Sequence, residues 1–332
     1  MSIESERRLR HDAIVRALCL LLLLIAAAGC SRPPSVASFD ASPLPSAFAS
    51  LHSPNGQRQV LLVRTGSRWQ GHLDDSFAAT AHSVVAETDD GSLPEILHPA
   101  DLAEPPIEIA GWRQTRDAPV LIVESWAAGD PALRASGPSA IVSMIRVAGD
   151  SFAIAAINAT LAAELEGAVG LAAPVGETLT DPGAVASRVA IEAAVRVVVD
   201  EESGAVNPRA RIAVFQIPVL LNRRFLAVEH QIFEDHGNEE GAASPSRFTL
   251  HNLETGESPD PDALLDPALL ARLAALAGET TASADWYVAR PGIVLVTRDA
   301  HGAESRRVVP WRDALPLLPA DSPLRDVAES LH

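Results

Sequence analysis

From about residue 57 onward, apolar and polar positions alternate over short stretches, the two-residue period of strands with one buried face. "RQVLLVRTGSRWQGHL" holds two such runs around Thr65-Gly66-Ser67 and predicts a hairpin. "IEIAGW" (107–112) and "PVLIVESW" (119–126), separated by polar "RQTRDA", predict a second hairpin, and "AIVSMIRV" (140–147) a further strand. The intervening "ETDDGSLPEILHPADLAEPP" reads as loop with a short helical turn. The period then changes. Ile154, Ile157, Leu161 and Leu165 recur at spacings of three and four, which places them on one face of a helix that Asp150 or Ser151 can cap. Asp181 and Pro182 open a second helix in "DPGAVASRVAIEAAV", whose β-branched tail "VRVVV" fits helix or strand.

"RARIAVFQIPVLL" and "RFLAVEHQIFED" flank Asn222-Arg223 and predict the clearest hairpin. In its second arm Leu226, Val228, His230 and Ile232 share one face and Ala227, Glu229 and Gln231 the other, as in a half-buried strand. Pro218 has no N–H to give a ladder, so it predicts an edge or a bulge. "SRFTLHNLETGE" adds a strand ending in a turn at Gly256. "DPALLARLAALAG" predicts a helix with Asp266 as cap, Pro267 at its first position and Gly278 as terminator. "DWYVAR", "GIVLVTR" and "SRRVVPW" complete the strands. Strand runs with helices inserted among them predict an α+β fold: an antiparallel sheet with two to four inserted helices in the C-terminal half, preceded by a smaller β-rich N-terminal region.

The first residues follow a different pattern. Arg7, Arg8, Arg10 and Arg16 precede an unbroken apolar run from Ala17 to Ala28. As a helix that run would rise about 18 Å, against roughly 30 Å of bilayer hydrocarbon, so it suits a secretory signal better than a span. It closes on Ala27-Ala28-Gly29-Cys30, which resembles the lipobox of bacterial lipoproteins, with Ala27 where Leu is commoner. That resemblance implies cleavage between Gly29 and Cys30, and acylation of the Cys30 sulfur and of its new amino group. Ser31 rather than Asp after Cys30 implies sorting to the outer membrane in diderm bacteria, with the protein facing the periplasm. The expected organisation is a signal peptide over 1–29 and an acylated, Ser/Pro/Ala-rich tether over 30–56. A β-rich region then spans 57–138 and an α+β domain 139–332.

Charge and composition narrow the chemistry. The net charge is −17, and an acidic surface disfavours nucleic acid while suiting a cationic partner or simple solubility. There are two cysteines, of which Cys19 leaves with the signal and Cys30 is lipidated, so no disulfide or thiol nucleophile is expected. Every basic side chain is Arg, which excludes a P-loop lysine, Schiff-base chemistry and Ser-x-x-Lys acylases. Gly-x-Ser-x-Gly, His-Glu-x-x-His and dinucleotide glycine motifs are absent from the sequence.

Four pieces of the second half, in order, resemble the extracytoplasmic domain of the RsiV-like family, found in lysozyme-sensing anti-sigma factors and beside some peptidoglycan deacetylases. They are "INATL" (157–161), "RFLAVEHQIFEDHG", "FTLHNLETGESPDPDALLDPALLARL" and "WYVARPGIVLVTRDAHG…VVPW", together covering about residues 140–318. The family's Gly-Gly-Ala-His stretch is replaced here by "GNEEGAASPS", with Ala243 where His would stand, so no lysozyme-binding residue can be carried over. The cytoplasmic anti-sigma segment has no counterpart either.

Candidate sites are few. His230 and His236 with Glu234, Asp235, Glu239 and Glu240 have ligand chemistry for a divalent metal, yet His230 falls on an apolar strand face and the acids run into a loop, so no metal and no cofactor is expected. Trp69, Trp112, Trp126, Trp286 and Trp311 could stack on sugars, but each lies in or beside a strand and suits a core. Asp74-Asp75, Asp89-Asp90 and Glu201-Glu202 are adjacent pairs in apparent loops, poorly placed for acid–base work. The expectation is a lipid-anchored, non-catalytic envelope binding protein whose partner is a cationic protein such as lysozyme, or peptidoglycan. A cell-wall hydrolase (or accessory subunit) using Asp, Glu and His, and a structural lipoprotein, are the alternatives.

Overall fold

The computed structural model describes residues 39–100, 104–115, 119–130, 138–170, 182–199, 207, 209–237, 242–278, 285–298 and 304–331. In chain order the first strands are β1 (Asp40–Leu44), β2 (Ser46–His52), β3 (Arg58–Thr65), β4 (Arg68–Asp75) and β5 (Thr80–Glu87). Then come β6 (Ile96–Pro99), β7 (Ile107–Glu108), β8 (Arg113–Gln114), β9 (Leu121–Gly129) and β10 (Ala140–Val147). Helices α1 (Phe152–Ala168) and α2 (Pro182–Val198) lead to β11 (Arg211–Leu221), β12 (Phe225–Asp235), β13 (Ala242–Ala243) and β14 (Arg247–Asn252). The remainder is α3 (Pro261–Leu264), α4 (Pro267–Leu276), β15 (Asp285–Ala289), β16 (Gly292–Arg298), β17 (Glu304–Pro310), α5 (Trp311–Ala314) and α6 (Pro323–Glu329). The fold is α+β, as the pattern predicts.

The first sheet runs β1-β9-β10-β11-β12-β13, with β14 also pairing β12; the second runs β7-β6-β5-β4-β3-β2-β8; the third is the meander β15-β16-β17. Among the described strands the pairings are antiparallel except that of β10 with β11, whose parallel register demands the long crossover that carries α1 and α2. Those helices cover one face of the first sheet. Val185, Val189 and Ala193 of α2 pack there on Val142, Ile212 and Val214. The β-branched tail "VRVVV" is therefore helical as far as Val198, which is fully buried. The other face of the first sheet meets the second sheet, with Leu61 and Val63 of β3 packed in one core with Val123 and Ile145. A further core lies beneath the meander, where Phe225 and Leu250 meet Tyr287, Leu295, Leu269 and Trp311.

Two side chains complete backbone bonding where the parallel ladder stops at Ser143 and Phe215. Gln216 accepts from the Ile145 N–H at 3.1 Å and donates to the Leu161 carbonyl at 2.7 Å. Asn158 of α1, within the "INATL" segment, accepts from the Val147 N–H at 2.9 Å and donates to the Val147 carbonyl at 3.0 Å. Each amide stands in for a missing strand, so buried peptide groups keep partners. Ser151 caps α1 through the Ile154 N–H, and Asp266 caps α4 through the Leu269 N–H. Asp181, expected to cap the second helix, lies outside the described residues. Gly256 has φ +80°, and its turn lies so close to α1 that an added Cβ would sit 2.9 Å from Ala153 Cα.

Several expectations are corrected. The tether expected over 30–56 gives way to strand by Asp40, because β9 needs an edge partner and β1 supplies it; Pro43 is tolerated there because an edge strand has an unpaired side. Residues 107–112 and 119–126 form no hairpin: β7 pairs with β6, whereas β9 lies between β1 and β10. The stretch read as a loop with a helical turn contains β6. Since β1 and β9 share a sheet with β10–β14, the division at residue 138 separates neighbouring strands of one sheet. Pro218, by contrast, meets its expectation of an edge or a bulge: its strand is interior, and the register shift between Pro218 and Leu220 is the bulge.

Candidate functional site

The chemistry concentrates where the two large sheets face each other. Along β4, Trp69 and Leu73 enter the core of the second sheet, which turns Arg68, Gln70, His72 and Asp74 the other way, as strand alternation requires. His72 Nε2 lies 3.3 Å from the Tyr287 hydroxyl and 3.1 Å from Asp74 Oδ1. Asp74 Oδ2 accepts the Arg290 backbone N–H at 3.1 Å. The Tyr287 ring stacks on Phe248 at 4.3 Å, and the Arg306 guanidinium lies 5.6 Å from the Tyr287 ring centre. Arg306 donates to Glu229 Oε1 at 2.7 Å. Glu229 is thus buried rather than solvated, because the second sheet and the meander cover the face of β12 that the sequence pattern assigned to water.

Burial would raise the Glu229 carboxyl, but the Arg306 charge and hydrogen bonds from Gln231 and Arg306 hold it below the ordinary carboxylate range. Burial pushes the Tyr287 hydroxyl far above its ordinary value. At the end of β4, burial would raise Asp75, yet the Ala78 N–H and Arg58 at 2.6 Å draw it down. Glu229 and Asp75 are therefore held charged beside their arginines, and Tyr287 is held neutral.

A second cluster lies under α1. His230 Nε2 is 3.2 Å from Glu164 Oε2 and 3.1 Å from Thr249 Oγ1, and Thr249 is in turn 3.0 Å from His251 Nε2. His251 Nδ1 lies 2.7 Å from Ser258 Oγ on the exposed turn after β14. Burial lowers His251 to about 4, against the opposing pull of Glu164. Burial would raise Glu164, but the hydrogen bond and charge of His230 bring it below the ordinary range.

Between the sheets a cleft opens in two compartments that share Arg68, Gln70 and Phe233. The outer one, about 530 Å³, lies under the β3–β4 turn against Ile141, Ala213 and Phe215. The inner one, about 270 Å³, reaches Ser83, Ile217, Gln231 and Arg306. Gln70 Nε2 and Ser83 Oγ are buried there without a hydrogen-bond partner.

The residues singled out in the sequence fall as follows. Gly29 and Cys30 lie outside the described residues, as do Glu201, Glu202, Glu239 and Glu240. His230 is buried in the cluster under α1, whereas His236 is exposed and 3.7 Å from Glu234; they do not converge. Among the described residues no group of three or more His, Cys, Asp or Glu is arranged to hold a metal ion. The five tryptophans are spread over three separate cores rather than one platform. Asp74 and Asp75 do point opposite ways, but from a buried strand end rather than a loop. No helix among the described residues is long and apolar enough to cross a membrane. Glu164, His251, Glu229, His72 and Tyr287 escaped notice, since their partners are distant in sequence.

No family model and no curated protein matches the chain. Among solved structures it is similar to a crystal structure of a DUF3298-family member from Bacteroides fragilis, with 13% identity, 65% of this chain and 99% of that chain covered, and a TM-score of 0.44.

Proposed function

We propose that the chain is a lipid-anchored, envelope-facing binding protein without catalytic activity, held by acylated Cys30 in the outer membrane and turned toward the periplasm. One observation carries the non-catalytic part: among the described residues, each titratable group with a displaced pKa moves away from neutrality. Asp75, Asp90, Glu164 and Glu229 are driven down, His82 and His251 are driven down by burial, and Tyr287 is driven up. General acids and bases work best with pKa values near the operating pH, and these groups are tuned to hold charge or neutrality in place.

The partner is a basic envelope protein, favoured by the net charge of −17 and by the RsiV-like resemblance over residues 140–318, which makes lysozyme the first candidate. Capture from envelope extracts that weakens as salt rises supports this partner; salt-insensitive retention on purified sacculi assigns peptidoglycan instead. Cys30→Ser should release the protein from the membrane fraction and remove the acyl mass. Unchanged mass and sedimentation would refute the anchor.

Ser258, His251 and Glu164 favour a second reading, a cell-wall hydrolase. The exposed hydroxyl and the histidine are in hydrogen-bond reach, but a histidine held near 4 is a weak base at neutral pH. Clearing of peptidoglycan in a zymogram, lost in Ser258→Ala, would establish the hydrolase over the binder.

A further inference from the structure

The sequence contains 43 acidic against 26 basic residues, yet the compartments of the inter-sheet cleft are lined by Arg68 and Arg306 and by no carboxylate. Three other cavities follow the composition: Asp75 and Glu108 line two neighbouring ones, and Asp260 and Asp285 the third. Arg306 is committed to Glu229. Arg68 is exposed at the junction and makes no ion pair among the described residues, even with Glu87 across the β4–β5 ladder. Gln70 is 4% exposed, and its Nε2 is a donor without an acceptor in the cleft; the Ser83 hydroxyl is likewise unmatched. A buried donor left unmatched in this way is expensive, and an acceptor-rich ligand would satisfy it.

The outer compartment has the opposite character. Ile141, Ala213 and Phe215 line it. Phe233 remains 41% exposed although its ring packs edge-on against Phe215 at 6.3 Å. A volume of about 530 Å³ is within the range of small-molecule pockets and has room for an alkyl chain of medium length. An apolar room beside unmatched donors and an unpaired cation is complementary to a molecule with the same two parts.

We infer that the inter-sheet cleft binds a single-chain amphipathic anion, its alkyl chain against Phe215 and Phe233 and its carboxylate or phosphate head at Arg68, Gln70 and Ser83. The site is independent of the partner proposed above: ligand in the cleft requires neither anchoring nor capture of a protein. Binding would also draw β4 of the second sheet to β11 and β12 of the first, because the ligand touches both.

The test is calorimetric titration of the full chain carrying Cys30→Ser, which removes any acyl group of its own. The probes are dodecanoate, dodecyl phosphate, dodecyltrimethylammonium and inorganic phosphate, the amphiphiles kept below micelle formation. One anionic amphiphile should bind per chain, at least tenfold tighter than the cationic one, with inorganic phosphate silent. Preference for dodecanoate assigns a fatty-acid source, and preference for dodecyl phosphate a phospholipid-like source. Arg68→Glu, an exposed position that should leave the thermal melt unchanged, should weaken the anion at least tenfold. Ala213→Trp should fill the apolar room and abolish binding. If Ala213→Trp fails to fold, Gln70→Leu serves in its place, removing the unmatched donor. Absence of binding, equal affinity for the two head charges, or Arg68→Glu binding as tightly as the parent would overturn the inference.

Discussion

Replacing Arg306 by Met removes the counter-charge from a carboxylate that has nowhere to go. Glu229 is 1% exposed, its Oε1 accepts from Arg306 at 2.7 Å, and the same guanidinium serves the Tyr287 hydroxyl at 3.3 Å. Breaking a buried pair from one side typically costs about 3–5 kcal/mol, because the abandoned charge remains desolvated. That range should apply at pH 7, where Glu229 is ionised in the parent. Replacing both partners, Glu229→Leu with Arg306→Met, should recover most of the loss, to within about 1 kcal/mol of the parent, since no stranded charge remains. Urea unfolding followed by tryptophan fluorescence measures both, with the denaturant slope checked for constancy. A pH series adds a separate check. Without Arg306 the buried carboxyl should take up a proton more readily, so the defect of the single variant should shrink between pH 7 and pH 5. A single-variant cost below about 1 kcal/mol, or a double variant as unstable as the single one, would refute the reading that Arg306 of the meander holds the buried Glu229 charge on β12.

Other consequences can be measured on the same footing. His251 falls to about 4 in the fold from an ordinary 6.5, so its neutral form is favoured: its contribution is complete above pH 6.5 and should be lost as pH falls toward 4, to a total of about 3 kcal/mol. Denaturation midpoints across that range should show the slope, His251→Gln should flatten it, and an equal slope in the variant would refute the assignment. Gly256 and Gly278 have similar positive φ values of 80° and 76°, but only Gly256 has a neighbour within 4 Å. Ala at Gly278 should cost about 1 kcal/mol from backbone strain, and Ala at Gly256 clearly more in thermal melts, because Ala153 stands in the way; equal costs would refute the close approach of the turn to α1. Asp266→Ala should cost about 1 kcal/mol through loss of the α4 cap, and Asp266→Asn much less, by the same unfolding assay.

Local patterns in the sequence specify most of the elements and few of their neighbours. The period of Ile157, Leu161 and Leu165, the Asp266-Pro267 opening and the turn at Asn222 are local signals, and each appears in the fold as expected. The misjudged places share one cause. Whether Glu229 faces water depends on Arg306, and whether residues 40–44 form a strand depends on β9, so neither is written within its own window. Strand alternation on β12 was a correct statement about which residues share a face, but it could not tell that both faces would be covered. Similarly, His230 was legible as a core histidine, but its hydrogen-bonded neighbours Glu164, Thr249 and His251 come together only when α1 lies across β12 and β14. The cleft left no trace in the sequence, since Arg68, Gln70 and Phe233 look ordinary one by one.

The contacts of His72 with Tyr287 and of Asp74 with Arg290 join positions 215 and 216 residues apart. A ribosome or translocation pore delivers β4 long before it delivers its closing partners. Until residues 285–310 emerge, part of that face of the second sheet is an unfinished surface, with polar groups that only later residues can satisfy. Maturation should accordingly be slow and should wait for residues 285–310, and a nascent chain halted before residue 285 should be the species that chaperones hold.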